Sequence, residues 1–131
     1  MRVVTTLLVE DNPDDVFAFQ RIYRKAEVAH DLRVVTDGRQ AIDFLEDVNS
    51  GLGPLLALVF LDLKLPQHSG FEVLEWIQTR PSLTSIPVVI LSGSDEPCDH
   101  DRSRELGAVD YFAKPMDLET LRTVLCNQGV S

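Results

Sequence analysis

The sequence predicts an α/β domain built around an open parallel sheet, and three observations carry that expectation. Apolar runs of strand length alternate with stretches of helical period along the whole chain, the pattern of successive βαβ units. The first of these runs, Thr5 to Glu10, is apolar almost continuously, as a strand covered on both faces should be. The chain has 131 residues, 44% hydrophobic and 25% charged, which is the size and balance of one folded domain and not of a disordered segment. One domain over residues 1–131 is therefore expected.

The first strand reads as Thr5 to Glu10. Asn12-Pro13-Asp14-Asp15 then opens a helix: Asn12 is the N-cap, Pro13 takes the first helical position, and two acids follow where the positive end of the helix dipole favours them. Val16, Phe19, Tyr23 and Ala26 form its apolar stripe. A second strand, Leu32 to Thr36, ends at Asp37-Gly38, and Ala41, Phe44, Leu45 and Val48 give the apolar side of the next helix. Asn49 to Pro54 is a loop. Leu55 to Leu61 is the most hydrophobic run and hence the candidate central strand, delivering Asp62 to its carboxyl end. Ser69-Gly70-Phe71-Glu72 has capping-box spacing for a third helix through Trp76 and Gln78. Ile86 to Leu91 is a fourth strand ending at Ser92-Gly93-Ser94, and polar Asp99 to Leu106 a fourth helix stopped by Gly107. Val109 to Ala113 is a fifth strand closed by Lys114-Pro115, and Leu118, Leu121 and Leu125 mark a last helix, its leucines suited to core or interface.

Composition excludes several function classes. A net charge of −9 repels a phosphate backbone, and no cluster of Lys and Arg offers a stripe for nucleic acid or an anionic membrane. Cys98 and Cys126 show no CxxC spacing, so neither a disulfide framework nor a zinc site is expected. No signal peptide or membrane span is legible, and a cytoplasmic setting is expected. His30, His68 and His100 read as scattered surface residues, and Trp76 as packing or a partner contact.

In open parallel sheets ligands bind beyond the carboxyl ends of the strands. Strands one, three, four and five deliver Glu10-Asp11, Asp62, Ser92 and Lys114 to that edge. These residue types suit phosphorylation of an aspartate. An accepting carboxylate needs acids nearby to hold a divalent cation, and the transferred group then needs a fixed cation and a hydroxyl donor. Packed together, the three carboxylates are expected to raise at least one pKa unless a cation or Lys114 is present.

With those pieces placed, the chain resembles the receiver domain of two-component response regulators over essentially its whole length. The matching segments are Leu7-Leu8-Val9-Glu10-Asp11-Asn12, Phe60 to Pro66, Val88 to Ser94 and Asp110-Tyr111-Phe112-Ala113-Lys114-Pro115. The resemblance implies a flavodoxin-like, doubly wound sheet in the order 2-1-3-4-5. It implies a phosphoryl group received on Asp62 from a sensor histidine kinase or a histidine phosphotransfer protein. It also implies Mg²⁺ held by Asp11, Asp62 and the backbone carbonyl of Lys64, with Glu10 binding through a water. Ser92 and Lys114 would bind phosphoryl oxygens, and Ser92 with the aromatic Tyr111 would form the switch. Such a domain is a phosphoacceptor that assists its own phosphorylation and dephosphorylation, not an enzyme acting on a separate substrate. The family also dimerises through the face of the fourth helix, fifth strand and fifth helix. The Asn12-Pro13-Asp14-Asp15 opening and the 49–54 loop are similar to stand-alone regulators partnered with bacterial phytochromes. Nothing after the last helix reads as an output domain, so a protein contact or onward phosphotransfer is the expected output.

Two positions are less usual for that family. Lys64 lies two residues past the acceptor and Ser94 two past Ser92, where side chains influence hydrolysis of the acyl phosphate. A charged lysine cannot accept a proton and so cannot orient water as a base, which predicts slow self-dephosphorylation. Each marker also has a plainer reading. Glu10 to Pro13 could only cap a helix, Asp62 could be a turn residue, Ser92 an ordinary loop serine and Tyr111 a half-buried strand aromatic. Two other functions compete with the receiver. An enzyme of the haloacid-dehalogenase class also phosphorylates a strand-end aspartate, but such sites usually carry a second acid two residues later, where this chain has Lys64. A protein-interaction or dimerisation module that never receives phosphate is the main alternative.

Overall fold

A computed structural model describes residues 4–93 and 96–130. Ten elements alternate along the chain: β1 (Val4–Val9), α1 (Pro13–Lys25), β2 (Asp31–Val35), α2 (Gly38–Asn49), β3 (Leu55–Leu61), α3 (Gly70–Gln78), β4 (Val88–Ser92), α4 (Pro97–Glu105), β5 (Asp110–Ala113) and α5 (Leu118–Asn127). The strands form one parallel sheet in the order β2-β1-β3-β4-β5. Strand order reverses between β1 and β3, so the carboxyl ends of these two strands flank the crevice where such sheets bind ligands.

The sheet separates two apolar clusters by the period-2 alternation of strand side chains. Leu7, Val9, Val59, Leu61, Val88 and Ile90 point to one side, where Ala41 and Leu45 of α2 and Val73, Leu74 and Ile77 of α3 cover them. Leu8, Leu58, Phe60, Val89 and Leu91 point to the other, against Phe19 and Tyr23 of α1 and Leu121, Val124 and Leu125 of α5. Leu121 and Leu125 are thus core residues, and Leu118 is half-buried. α4 stands apart: its one buried residue is Ser103, and its N-cap Glu96 supplies no side-chain cap. Its contacts with the domain include half-buried His100 stacked on Tyr111 at 3.7 Å between ring centroids and the exposed Arg102 guanidinium 4.2 Å from the Phe71 ring centre.

The elements fall where sequence places them, with shifts of one or two residues at several ends. The fourth strand starts at Val88 and not Ile86, because Pro87 has no N–H to give the ladder and contributes only its carbonyl, to Val59 N at 3.0 Å. The fourth helix starts two residues early because Pro97 takes its first turn. At the expected capping box the Ser69 hydroxyl accepts the Glu72 N–H at 3.3 Å, and the Glu72 carboxylate, drawn by the Ser69 backbone N–H, also pairs with His68 Nδ1 at 2.9 Å. The three histidines are not plain surface residues either. All are partly buried: His68 pairs with Glu72, His100 lies against Tyr111, and His30 has a buried Nδ1 without a hydrogen-bond partner. Trp76 packs at the edge of the first cluster under Arg80. Ser94 lies outside the described residues.

Candidate functional site

Backbone pairing sets each site residue before its side chain acts. Glu10 N donates to Val35 O at 3.0 Å and Asp62 N to Val9 O at 3.1 Å, so both acids are held one step beyond the ends of β1 and β3. Lys114 N donates to Ser92 O at 2.8 Å, which ties the lysine after β5 to the serine that ends β4. Ser92 is fully buried. The Lys114–Pro115 bond is cis. Behind β3, α3 begins at Gly70, where a Cβ would come within 2.3 Å of the Asp62 carbonyl oxygen. Only glycine lets the helix start that close to the strand end.

The side chains then converge. Lys114 Nζ contacts three carboxylates: Asp62 Oδ2 at 3.0 Å, Asp15 Oδ2 at 2.9 Å and Glu10 Oε1. The other Asp62 oxygen, Oδ1, accepts the backbone N–H of Lys64 at 3.3 Å. Glu10 Oε2 accepts the Asn12 N–H at 3.2 Å. Glu10, Asp11 and Asp62 each bring a carboxylate oxygen into a group whose atoms lie within 4.8 Å of one another. An all-oxygen donor set of this kind suits a hard divalent cation. Among the described residues no other cluster of this kind is found.

Electrostatics match that crowding. Burial raises the Glu10 carboxyl to about 7, and the Asp62 charge adds to the rise, while hydrogen bonds from Lys114 and Asn12 hold it back. Burial alone would depress Lys114, but its bonds to Glu10, Asp15 and Asp62 outweigh that and keep the ammonium firmly charged. Among the described residues one ammonium contacts three carboxylates here, with Asp11 beside them, so the site retains excess negative charge for a cation to neutralise.

Glu10, Asp11, Asp62 and Lys114 are therefore brought into one site, and Ser92 is joined to it through the Lys114 backbone. Lys64 takes part through its backbone, its side chain being exposed. Tyr111 lies one strand over, half-buried on β5 beneath His100. Sequence reasoning missed Asp15, taken there only as a first-turn acid of α1. The available signal was that α1 starts at the carboxyl edge of the sheet, so its first turn overhangs the site.

Residues 6–126 match the family model of the response regulator receiver domain. The chain belongs to that family. This receiver domain is 36% identical over 116 residues to the response regulator Rcp1 of Synechocystis, covering 88% of this chain and 79% of Rcp1. The crystal structure of the Mn²⁺-bound form of Rcp1 superposes with a TM-score of 0.78 at 35% identity, over 95% of this chain and 89% of that one. The bacteriophytochrome response regulator AtBRR is similar over the whole of this chain and 96% of its own, with a TM-score of 0.84 at 36% identity. A probable cyclic di-GMP phosphodiesterase of Vibrio cholerae is 32% identical over 120 residues, but the receiver domain spans only 25% of its length. The receiver domain is thus homologous to phytochrome response regulators and belongs to the phosphorylation-based two-component class, whose members interact with histidine kinases or phosphotransfer proteins. No helix among the described residues is long and apolar enough to cross a membrane.

Proposed function

We propose that this receiver domain accepts a phosphoryl group on Asp62 from a histidine kinase or histidine phosphotransfer protein and signals through a switch at Ser92 and Tyr111. One observation carries the reading: Asp62 is buried at the crevice with one oxygen 3.0 Å from Lys114 Nζ, in the same cluster as Glu10 and Asp11. In the transfer, an Asp62 carboxylate oxygen attacks phosphorus as the bond to the donor nitrogen, or to the carboxylate of acetyl phosphate, breaks. The electron pair leaves with imidazole or acetate. Lys114 turns an N–H to a phosphoryl oxygen and Ser92 offers its hydroxyl to another.

Asp11, Asp62 and the backbone carbonyl of Lys64 would hold Mg²⁺ directly, with Glu10 reaching it through a water. Bound there, the cation supplies charge neutralisation for the incoming oxygens. The Mn²⁺ in Rcp1 supports a divalent ion in this site. Ser92, drawn towards the phosphoryl group, vacates space that Tyr111 enters, and the α4-β5-α5 face changes. Moving such a two-state element from mostly off to mostly on requires about 5.5 kcal/mol of differential stabilisation. A homodimer through that face, a cytoplasmic setting suited to the free thiols of Cys98 and Cys126, and a bacterial phytochrome as the kinase complete the reading. The domain promotes its own phosphorylation and dephosphorylation and acts on no separate substrate.

The test is intact mass after incubation with acetyl phosphate and Mg²⁺, beside Asp62→Asn and an EDTA control. A gain of one phosphoryl group, lost in both controls, is expected. No gain in the wild type sinks the acceptor reading and leaves the interaction-module alternative.

A further inference from the structure

Lys114 carries three N–H groups and has three carboxylates around it. Two of them, Glu10 and Asp62, belong to the acidic trio that converges for a cation. Asp15 does not. It stands on the first turn of α1 with its side chain 40% exposed, and Asn12 Oδ1 accepts its backbone N–H at 3.3 Å. Below the ion pair lies a cleft lined by Ala18, Phe19, Ile22 and Met116, an apolar wall that suits the methylene stem of Lys114. A divalent ion in the trio competes for Glu10 and Asp62 and repels an ammonium only a few ångströms away. Asp15 is then the carboxylate left to hold it.

We propose that Asp15 is a positioning residue that keeps Lys114 Nζ beside Asp62 when a cation fills the acidic trio, and so sets the rate at which Asp62 is phosphorylated. This rests on the reading of Asp62 as the phosphoacceptor. Asp15 touches neither cation nor phosphoryl group; it acts through Lys114 alone. Its other conceivable effect, repulsion of an anionic donor by its own charge, has the opposite sign, because neutralising it would then speed the reaction.

The chain has three lysines, Lys25, Lys64 and Lys114, so ¹⁵N-lysine labelling gives a readable ammonium spectrum. Lys25 and Lys64 are exposed, and Lys114→Met identifies the protected signal. With Mg²⁺ present, the wild type is expected to keep a slowly exchanging Lys114 Nζ resonance that Asp15→Asn loses. Phosphorylation of Asp15→Asn by acetyl phosphate, followed by intact mass, is expected to slow about three- to tenfold, a range that discounts a charged hydrogen bond for partial exposure. Asp15→Glu, which restores the charge, should recover both readouts. A resonance that survives in Asp15→Asn, one absent from the wild type with Mg²⁺, or a variant phosphorylated as fast as wild type would each overturn the assignment. A wild type that takes up no phosphate overturns the acceptor reading instead, and the resonance still decides the role of Asp15.

Discussion

The carbonyl oxygen of Asp62 occupies the space a side chain on Gly70 would need: a Cβ there would lie 2.3 Å away, with Leu63 Cα at 2.7 Å. The neighbouring atoms are backbone and cannot swing aside. Gly70→Ala is therefore expected to push α3 away from the strand end, lowering stability by about 1–3 kcal/mol, the usual cost of overpacking. It should slow phosphorylation at Asp62 as well. Urea denaturation and the acetyl phosphate assay check the two halves, and a variant as stable as wild type would contradict the close approach.

Among the described residues Lys114 is the single ammonium paired with buried Glu10 and Asp62, so Lys114→Met should leave both without their cationic partner. Without divalent ions the loss is expected to be about 3 kcal/mol, the scale for breaking a buried charge pair by removing one member. Millimolar Mg²⁺ should return part of it, since a ligand of the native state stabilises by mass action. Chemical denaturation with and without Mg²⁺ measures both; equal losses in the two conditions would argue against a cation site at the trio.

His100 links α4 to β5 through its stack on Tyr111. Removing its ring in His100→Ala should cost about 0.5–1.5 kcal/mol, the range for ring pairs beyond their buried area, and the loss should be local. Amide hydrogen exchange is expected to quicken across α4 while β1 and β3 stay protected. Uniform acceleration through the sheet would show that α4 is part of the cooperative core after all.

Asp117 caps α5, and its carboxylate is held below the ordinary value of 3.8 by the Thr120 backbone N–H. A depressed folded-state pKa gives stability that is present above the unfolded value and lost as pH falls through the folded one. Asn at this position keeps a capping acceptor but cannot titrate. Wild type should therefore melt above Asp117→Asn near pH 6, with the gap closing below about pH 4. Thermal melts across that window check the sign, and a constant gap would remove the charge from the account.

The exposed Lys64 side chain offers no proton acceptor near Asp62. The phosphorylated protein is expected to hold its phosphoryl group well beyond seconds after the donor is removed. Quenched intact-mass sampling reads this directly, and decay within seconds would count against it.

Much of this molecule was legible because its signals are local and physical. The unbroken apolar run from Leu55 to Leu61 marked the candidate central strand, which is buried from Leu58 onward, and its exit at Asp62 located the site. Asn12 and Pro13 announced α1 through cap chemistry that the structure shows, with Asn12 Oδ1 2.9 Å from Asp14 N. What sequence could not give were contacts across long chain separations. Asp15 meets Lys114 because the first turn of α1, after β1, and the long lysine side chain after β5 converge on the same carboxyl edge of the sheet, and no spacing rule joins residues 15 and 114. The His100–Tyr111 stack and the added pairing of Glu72 with His68 escaped for a related reason: which of several nearby partners a polar side chain chooses depends on geometry settled only after packing.

The sheet divides the interior into two separate cores, and alternate residues of a single strand serve different ones: Leu58 and Phe60 feed one, Val59 and Leu61 the other. The unit that can be exchanged between relatives is therefore a face and not a stretch of chain. A hybrid that copies every other residue of β1, β3 and β4 from a homologue, together with the two helices those residues touch, should fold around the unchanged opposite side. A hybrid cut at one point in the sequence would mismatch both cores at once.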